Sequence, residues 1–100
     1  MKKQDKYIYP AIFTDEDGYE VAVTFPDLPG CATSGEDEAD ALLMAKEALG
    51  GHLWCLEKDG DEIPVPTQFR NIKLETNEHA VLIDVYMPAV RLSQELQSNR

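Results

Sequence analysis

No continuous apolar run approaches the ~18 to 20 residues that a membrane-spanning helix requires. No apolar stretch follows the lysines of MKKQDKYIYP either, so this end does not read as a secretory signal. Together these absences predict a cytoplasmic protein without membrane contact. Cysteine is scarce, with Cys31 and Cys55 alone in the chain and no C-x-x-C pair. No histidine or second cysteine stands at ligand spacing from either, which argues against zinc and predicts two separate thiols buried as small hydrophobes. Basic residues are outnumbered, nine Lys and Arg against nineteen Asp and Glu, for a net charge of −10. So acidic a chain repels phosphate backbones, which disfavours direct nucleic-acid binding. The same field steers a basic partner, although acidity also serves solubility alone.

What is present suffices for one domain: 100 residues, 43% of them apolar. YIYPAIF places Tyr7, Tyr9, Ala11 and Phe13 on one face of a strand, with Pro10 marking an edge or a start there. Asp17-Gly18 supplies a hairpin turn, and YEVAVTF then alternates Tyr19, Val21, Val23 and Phe25 against Glu20, Ala22 and Thr24. After FPDLPGC the period changes. Ala41, Leu42, Ala45, Leu49, Leu53 and Leu56 recur at three- and four-residue steps, predicting a helix from Asp37 to about Lys58. Asp37 is its expected cap, through the Asp40 amide, and Gly60 its expected stop. The Gly50-Gly51 pair predicts a kink or a close backbone contact. Within NIKLETNEHAVLIDVYMP a short strand, a turn and a strand from His79 to Tyr86 follow. The nearly continuous AVLIDV suggests a central strand covered on both faces. Strand, strand, helix, strand describes an α+β layer of one sheet under one main helix. Residues 1–86 are expected to form the domain, with 87–100 a short, helix-prone tail.

YPAIF, Gly18-Tyr19, FPDLPGC at Phe25 to Cys31, Gly35, AKEAL at Ala45 to Leu49 and IPVP at Ile63 to Pro66 occur in an order that resembles the HicB-type antitoxin family. The resemblance runs from about Tyr9 to Pro66 and, more loosely, to Val85. It implies a partial ribonuclease-H-like fold with a three-stranded antiparallel sheet, one long helix and short C-terminal elements. It also implies a role: binding a small basic HicA-type toxin that cleaves messenger RNA, and covering its RNA-contacting surface. Such a role needs no catalytic residue, metal or cofactor. Many members continue past the segment matching VLIDV into a DNA-binding domain. Fifteen residues remain here after Val85, so DNA binding by this chain is not expected.

Two readings compete for the loop that carries the family motif, Phe25, Pro26, Asp27, Leu28, Pro29, Gly30, Cys31. Asp27 could join Glu20 and Asp84 in a metal-dependent nuclease, the alternative that a ribonuclease-H-like fold raises. An Asp between prolines is more simply an Asx-turn, bonding local backbone amides, and that reading is favoured. Cys31 as a nucleophile would need a base beside it, and nothing local places His52 or His79 there. For the partner surface the candidates are Glu36, Asp37, Asp40 and Glu47, with Tyr19, Trp54 or Tyr86 as the anchor that tight binding requires. Edge strands and an amphipathic tail further predict a homodimer or homotetramer.

Overall fold

A computed structural model of the chain describes residues 4–16, 18 and 20–98. The two alternating runs form the expected hairpin: β1 (Lys6–Asp15) pairs antiparallel with β2 (Val21–Thr24), Ile12 opposite Thr24 and Asp15 opposite Val21. Gly18 has φ of 70°; Asp17 and Tyr19 lie outside the described residues. The inward face is the one the alternation marks, since Tyr7, Tyr9, Ala11, Phe13, Val21 and Val23 are all buried.

Two further strands complete the sheet. β3 (Ala32–Gly35) pairs with β2, and β4 (Glu78–Tyr86) pairs along β1 from Lys6 to Thr14, giving the order β3-β2-β1-β4 with every pair antiparallel. The sheet therefore has four strands, not three. ATSG is too short and too weakly apolar to announce a strand, and it takes its form from its neighbours. β4 is an edge strand and not a central one. Ile83 and Val85 are buried whereas Leu82 is 52% exposed, because an antiparallel edge strand needs only one covered face. The short strand expected in NIKLE is absent: Phe69–Asn71 form a 3-10 turn, and residues 72–75 run on unpaired. A single Leu74 between Lys73 and Glu75 offers too little apolar surface to draw this segment onto the sheet.

Hydrogen-bond parity accounts for Pro10. The Asp15 amide donates to the Asn77 carbonyl at 2.9 Å and the Met87 amide to the Asp5 carbonyl at 2.6 Å, both in the register of the β1–β4 ladder. Odd residues of β1 thus bond β4, and even ones direct their amides toward β2. Pro10 precedes the first β1–β2 pair, Ile12 with Thr24. The amide it lacks would have met no strand, so proline is tolerated in an otherwise central strand.

Helix α1 (Glu38–Asp59) lies across the inner face. Asp37 accepts the Asp40 amide at 2.8 Å, and the Asp40 carboxylate accepts the Glu36 amide at 2.9 Å, so the first turn caps itself. At the other end Gly60, with φ of 71°, donates to Glu57, and Asp61 donates to Leu56. The buried row is Ala41, Ala45, Leu49 and Leu53; Leu42, expected on it, is 40% exposed. Burying Leu49 and Leu53 contributes roughly 1.5–3 kcal/mol each, and the alanines let the helix approach the strands. The row ends against Gly35, where a Cβ would stand 2.2 Å from the Ala41 nitrogen, a position that only glycine fits.

Helix α2 (Met87–Ser98) packs on α1. Gly50 makes this possible: a Cβ there would lie 3.0 Å from Val90 Cγ2. The glycine pair therefore serves a close contact, and α1 runs through it unbroken. Beside it Arg91 grips Glu57 with two bonds, Nε to Oε1 at 3.0 Å and Nη2 to Oε2 at 2.8 Å. The same guanidinium donates to the Gln4 carbonyl at 2.6 Å, tying α2 to the start of β1 as well. No helix among the described residues is long and apolar enough to cross a membrane.

Candidate partner-binding site

The FPDLPGC loop closes on itself through its backbone. Leu28 donates to the Phe25 carbonyl at 3.0 Å, Cys31 to Leu28 at 3.0 Å, and Phe25 to Cys31 at 3.2 Å. Phe25, Leu28 and Cys31 point into the core while Pro26, Pro29 and Gly30 face outward. Asp27 bonds neither its own loop nor a metal cluster. Its carboxylate accepts the Thr67 amide at 3.0 Å and the Thr67 hydroxyl at 2.5 Å, forty residues away, in place of the expected Asx-turn. The Tyr9 hydroxyl donates to the Pro64 carbonyl on the same extended segment. Loop and strand thereby pin residues 61–68 against the body of the molecule. Burial, with lesser pressure from Tyr7 and Asp27, pushes the Tyr9 phenol up to about 12, so it remains a donor.

Cys31 is buried behind the loop, its thiol directed to the Ala48 carbonyl at 3.7 Å. Burial pushes the thiol up to about 11, which keeps it protonated at neutral pH and unsuited to attack. Cys55, expected to be buried too, is exposed, because it stands two residues beyond Leu53 and so off the inward row. His52 is half-buried on α1. His79 accompanies Phe13 across the β1–β4 ladder and bonds Glu38 at 2.7 Å. Neither histidine has a described contact with Cys31.

The nuclease candidates do not converge. Asp27 is held by Thr67, Asp84 stands 3.5 Å from Lys46 Nζ, and Glu20 precedes β2. Among the described residues no three His, Cys, Asp or Glu side chains come together to hold a metal. Two-metal chemistry needs several carboxylates within a few ångströms of common points, and this arrangement offers none.

A groove of about 530 Å³ does open between the end of the loop, β3, α1 and α2, with Cys31, Thr33, Met44, Glu47, Cys55 and Gln94 among its walls. Glu47 is thus the sequence candidate that the fold brings to a concave surface. Asp40, seven residues earlier, lies on almost the same line of the helix, since two turns take about 7.2 residues. Leu43 sits between them and is 66% exposed. Glu36 and Asp37 lie just beyond, at the helix start. None of these acids forms an ion pair with a lysine or arginine among the described residues. Trp54, seven residues beyond Glu47 and so close to the same line of the helix, is half-buried against the core with Lys58 Nζ 5.0 Å from its ring centre. Tyr19 lies outside the described residues. Leu43 escaped notice in the sequence because one leucine beside another gives no sign of which faces inward; the four-residue spacing of Ala41, Ala45 and Leu49 is the signal that excludes it from the core.

A sequence model described as the HicB-like antitoxin of bacterial toxin–antitoxin systems matches residues 9–97. Antitoxin HicB 2 of Photorhabdus laumondii is 42% identical over 60 residues, which make up 59% of this chain and 42% of that protein. This match thus spans less than half of the relative's length. Among solved structures, a toxin–antitoxin complex from Streptococcus pneumoniae contains a chain similar to this one at a TM-score of 0.75 and 28% identity, covering 84% of this chain and 71% of that chain. The HicA3 and HicB3 toxin–antitoxin complex contains another, at a TM-score of 0.63 and 26% identity, covering 77% and 95%. The family match runs through both helices and all four strands, and the chain belongs to the HicB-like antitoxin family of bacterial toxin–antitoxin systems.

Proposed function

We propose that this chain neutralises a small, basic HicA-type toxin by docking it on the α1 face beside β3, covering the surface with which the toxin would cleave messenger RNA. The observation that carries this reading is the uncompensated acidic row Asp40–Glu47 with Leu43 exposed at its centre. Each part has a separate task. The carboxylates of Glu36, Asp37, Asp40 and Glu47 draw and orient a cationic partner, at only ~0.2 to 1 kcal/mol per exposed pair. Affinity needs a desolvated anchor, and Leu43 fully buried in the complex contributes about 1.5–3 kcal/mol. The chain acts in the cytoplasm, where such a toxin meets its RNA, and works by occlusion without chemistry of its own. Residues 1–86 form the toxin-binding unit, and α2 packs on α1 beside it, with Gln94 at the wall of the same groove.

Titrating the purified chain into a HicA-type toxin, with calorimetry for binding and a gel assay for RNA cleavage, tests this. Cleavage should fall to background as the toxin saturates. Leu43→Asp should weaken binding more than tenfold with an unchanged melting temperature. Full cleavage in the presence of excess chain, with no heat of binding, would overturn the proposal.

A further inference from the structure

We infer, resting on the docking site proposed above, the form in which the toxin is received. An extended basic segment of it adds to the free edge of β3 as a fifth strand, with alternate side chains turned toward α1.

The parity that explained Pro10 runs on across the sheet. Even residues of β1 bond β2, so the odd residues of β2 are left to bond β3. The Phe25 amide fixes the same phase, donating to the Cys31 carbonyl at 3.2 Å one pair beyond the ladder. Thr33 and Gly35 therefore spend their backbone groups on β2, and Ala32 and Ser34 direct theirs outward. Among the described residues neither Ala32 nor Ser34 has another backbone partner. Two amides and two carbonyls thus stand unpaired along one edge, a template that a further strand completes.

Side chains sort by the same alternation. Thr33 pairs with buried Val23 and Gly35 with buried Val21, so both face α1, whereas Ala32 and Ser34 face away. An added strand keeps this order whichever way it runs. Its residues level with Thr33 and Gly35 point toward α1, and the one between them points to the outer face. Met44 and Glu47 share a groove wall with Thr33. Asp40 adjoins Gly35, since its carbonyl carbon would lie 2.7 Å from a Cβ there. The segment that fits carries long cationic side chains at two alternate positions. One lays its stem on Met44 and brings its charge to Glu47; the other reaches Asp40.

Charge selects this edge over the other. β4 is longer, with nine residues, and Tyr86 is exposed on it, but its acid Asp84 already faces Lys46 at 3.5 Å. Beside β3, Asp40 and Glu47 face no lysine or arginine among the described residues. A cationic segment is therefore drawn to the shorter edge.

The probe is a HicA-type toxin whose RNA cleavage the chain abolishes. Amide exchange read residue by residue by NMR should alternate along β3. Ala32 and Ser34 exchange freely in the chain alone and should slow at least ~tenfold in the saturated complex. Thr33 and Gly35, bonded to β2 in both states, should change little. Ser34→Pro removes one outward donor without touching the internal ladder, as Pro10 does in β1. It should melt with the wild type and bind about tenfold more weakly. Ser34→Ala, which keeps the amide, should bind as the wild type does. The exchange pattern decides independently of whether Ser34→Pro folds. Ala32 and Ser34 amides that exchange in the complex as in the free chain would overturn the inference, and so would a folded Ser34→Pro of wild-type affinity. Either result leaves the toxin neutralised and the docking proposal standing. A chain that abolishes no HicA-type toxin's cleavage overturns that proposal, and this inference with it.

Discussion

Glu47 and Glu57 stand ten residues apart on one helix and have opposite fates. Glu57 is 4% exposed in its side chain and gripped by Arg91, so its charge is cancelled inside the chain. Glu47 lies in the open wall of a groove and has no cation opposite it among the described residues. The same contrast holds between the two ends of the sheet. Toward β4, Lys46 is engaged by Asp84, and along the last turns of α1 Arg91 and Lys58 are engaged by Glu57 and the Trp54 ring. Toward β3 the acids of α1 are left over. Charge that is neutralised at home serves the fold, and charge left over is available to a partner.

The largest test of this division is removal of Arg91. Arg91→Ala removes two charge-assisted bonds to Glu57 and one to the Gln4 carbonyl and leaves the Glu57 carboxylate without its cation, at a cost of roughly 3 kcal/mol. Denaturant unfolding should show a loss of that order. Replacing both members with apolar residues of similar volume, Glu57→Leu with Arg91→Met, should recover most of it, because the penalty lies in the orphaned charge. A small loss in Arg91→Ala would mean that the β4 end is no more internally satisfied than the β3 end.

The elements readable in the sequence are those whose causes are local. Tyr7 to Phe13 and Val21 to Phe25 alternate because each strand has one buried face, and Asp37 and Gly60 mark the helix ends through contacts within a few residues. The family motif likewise identified the loop. What escaped depends on residues that meet only in the folded chain. β3 exists because β2 offers a ladder and α1 a backing, not because ATSG prefers to be extended. AVLIDV looked central because apolar residues on an outer face resemble residues under a second layer. Arg91 with Glu57 lies 34 positions apart and Asp27 with Thr67 lies 40 apart, distances over which composition carries no signal. For the candidate site, the acidic row was visible and the leucine beside it was not: Trp54 is half-buried with Lys58 at its ring, while Leu43 is exposed.

Asp27 occupies the middle of the comparison, since it is an acid at the β3 end that is satisfied within the chain. Asp27→Ala removes two bonds to Thr67, one of them to its backbone amide. Hydrogen bonds to a charged group contribute about 1.5–3 kcal/mol, so unfolding should shift by that amount. Amide exchange should quicken first around Thr67, the rest of residues 61–68 keeping the Asp61 bond to Leu56, the Ile63 packing and the Tyr9 contact to Pro64. Toxin affinity, corrected for folding, should hold. If affinity fell while exchange at 61–68 stayed unchanged, the loop itself would be part of the docking surface.

The smallest effect should come from the leftover charge. Glu47→Gln keeps the size of the side chain and removes its charge at an exposed position, so folding stability should change by less than ~0.5 kcal/mol. Binding should weaken by only about 0.2–1 kcal/mol, mostly through a slower association rate. The wild-type association rate should fall as salt rises, because added ions screen the acidic row beyond about 8 Å at physiological strength. In Glu47→Gln that salt dependence should be shallower, while dissociation, governed by the Leu43 contact, should barely move. A mutant with an unchanged association rate and the same salt slope would place Glu47 outside the toxin's approach. The acidic row would then shrink to the helix start around Glu36 and Asp40.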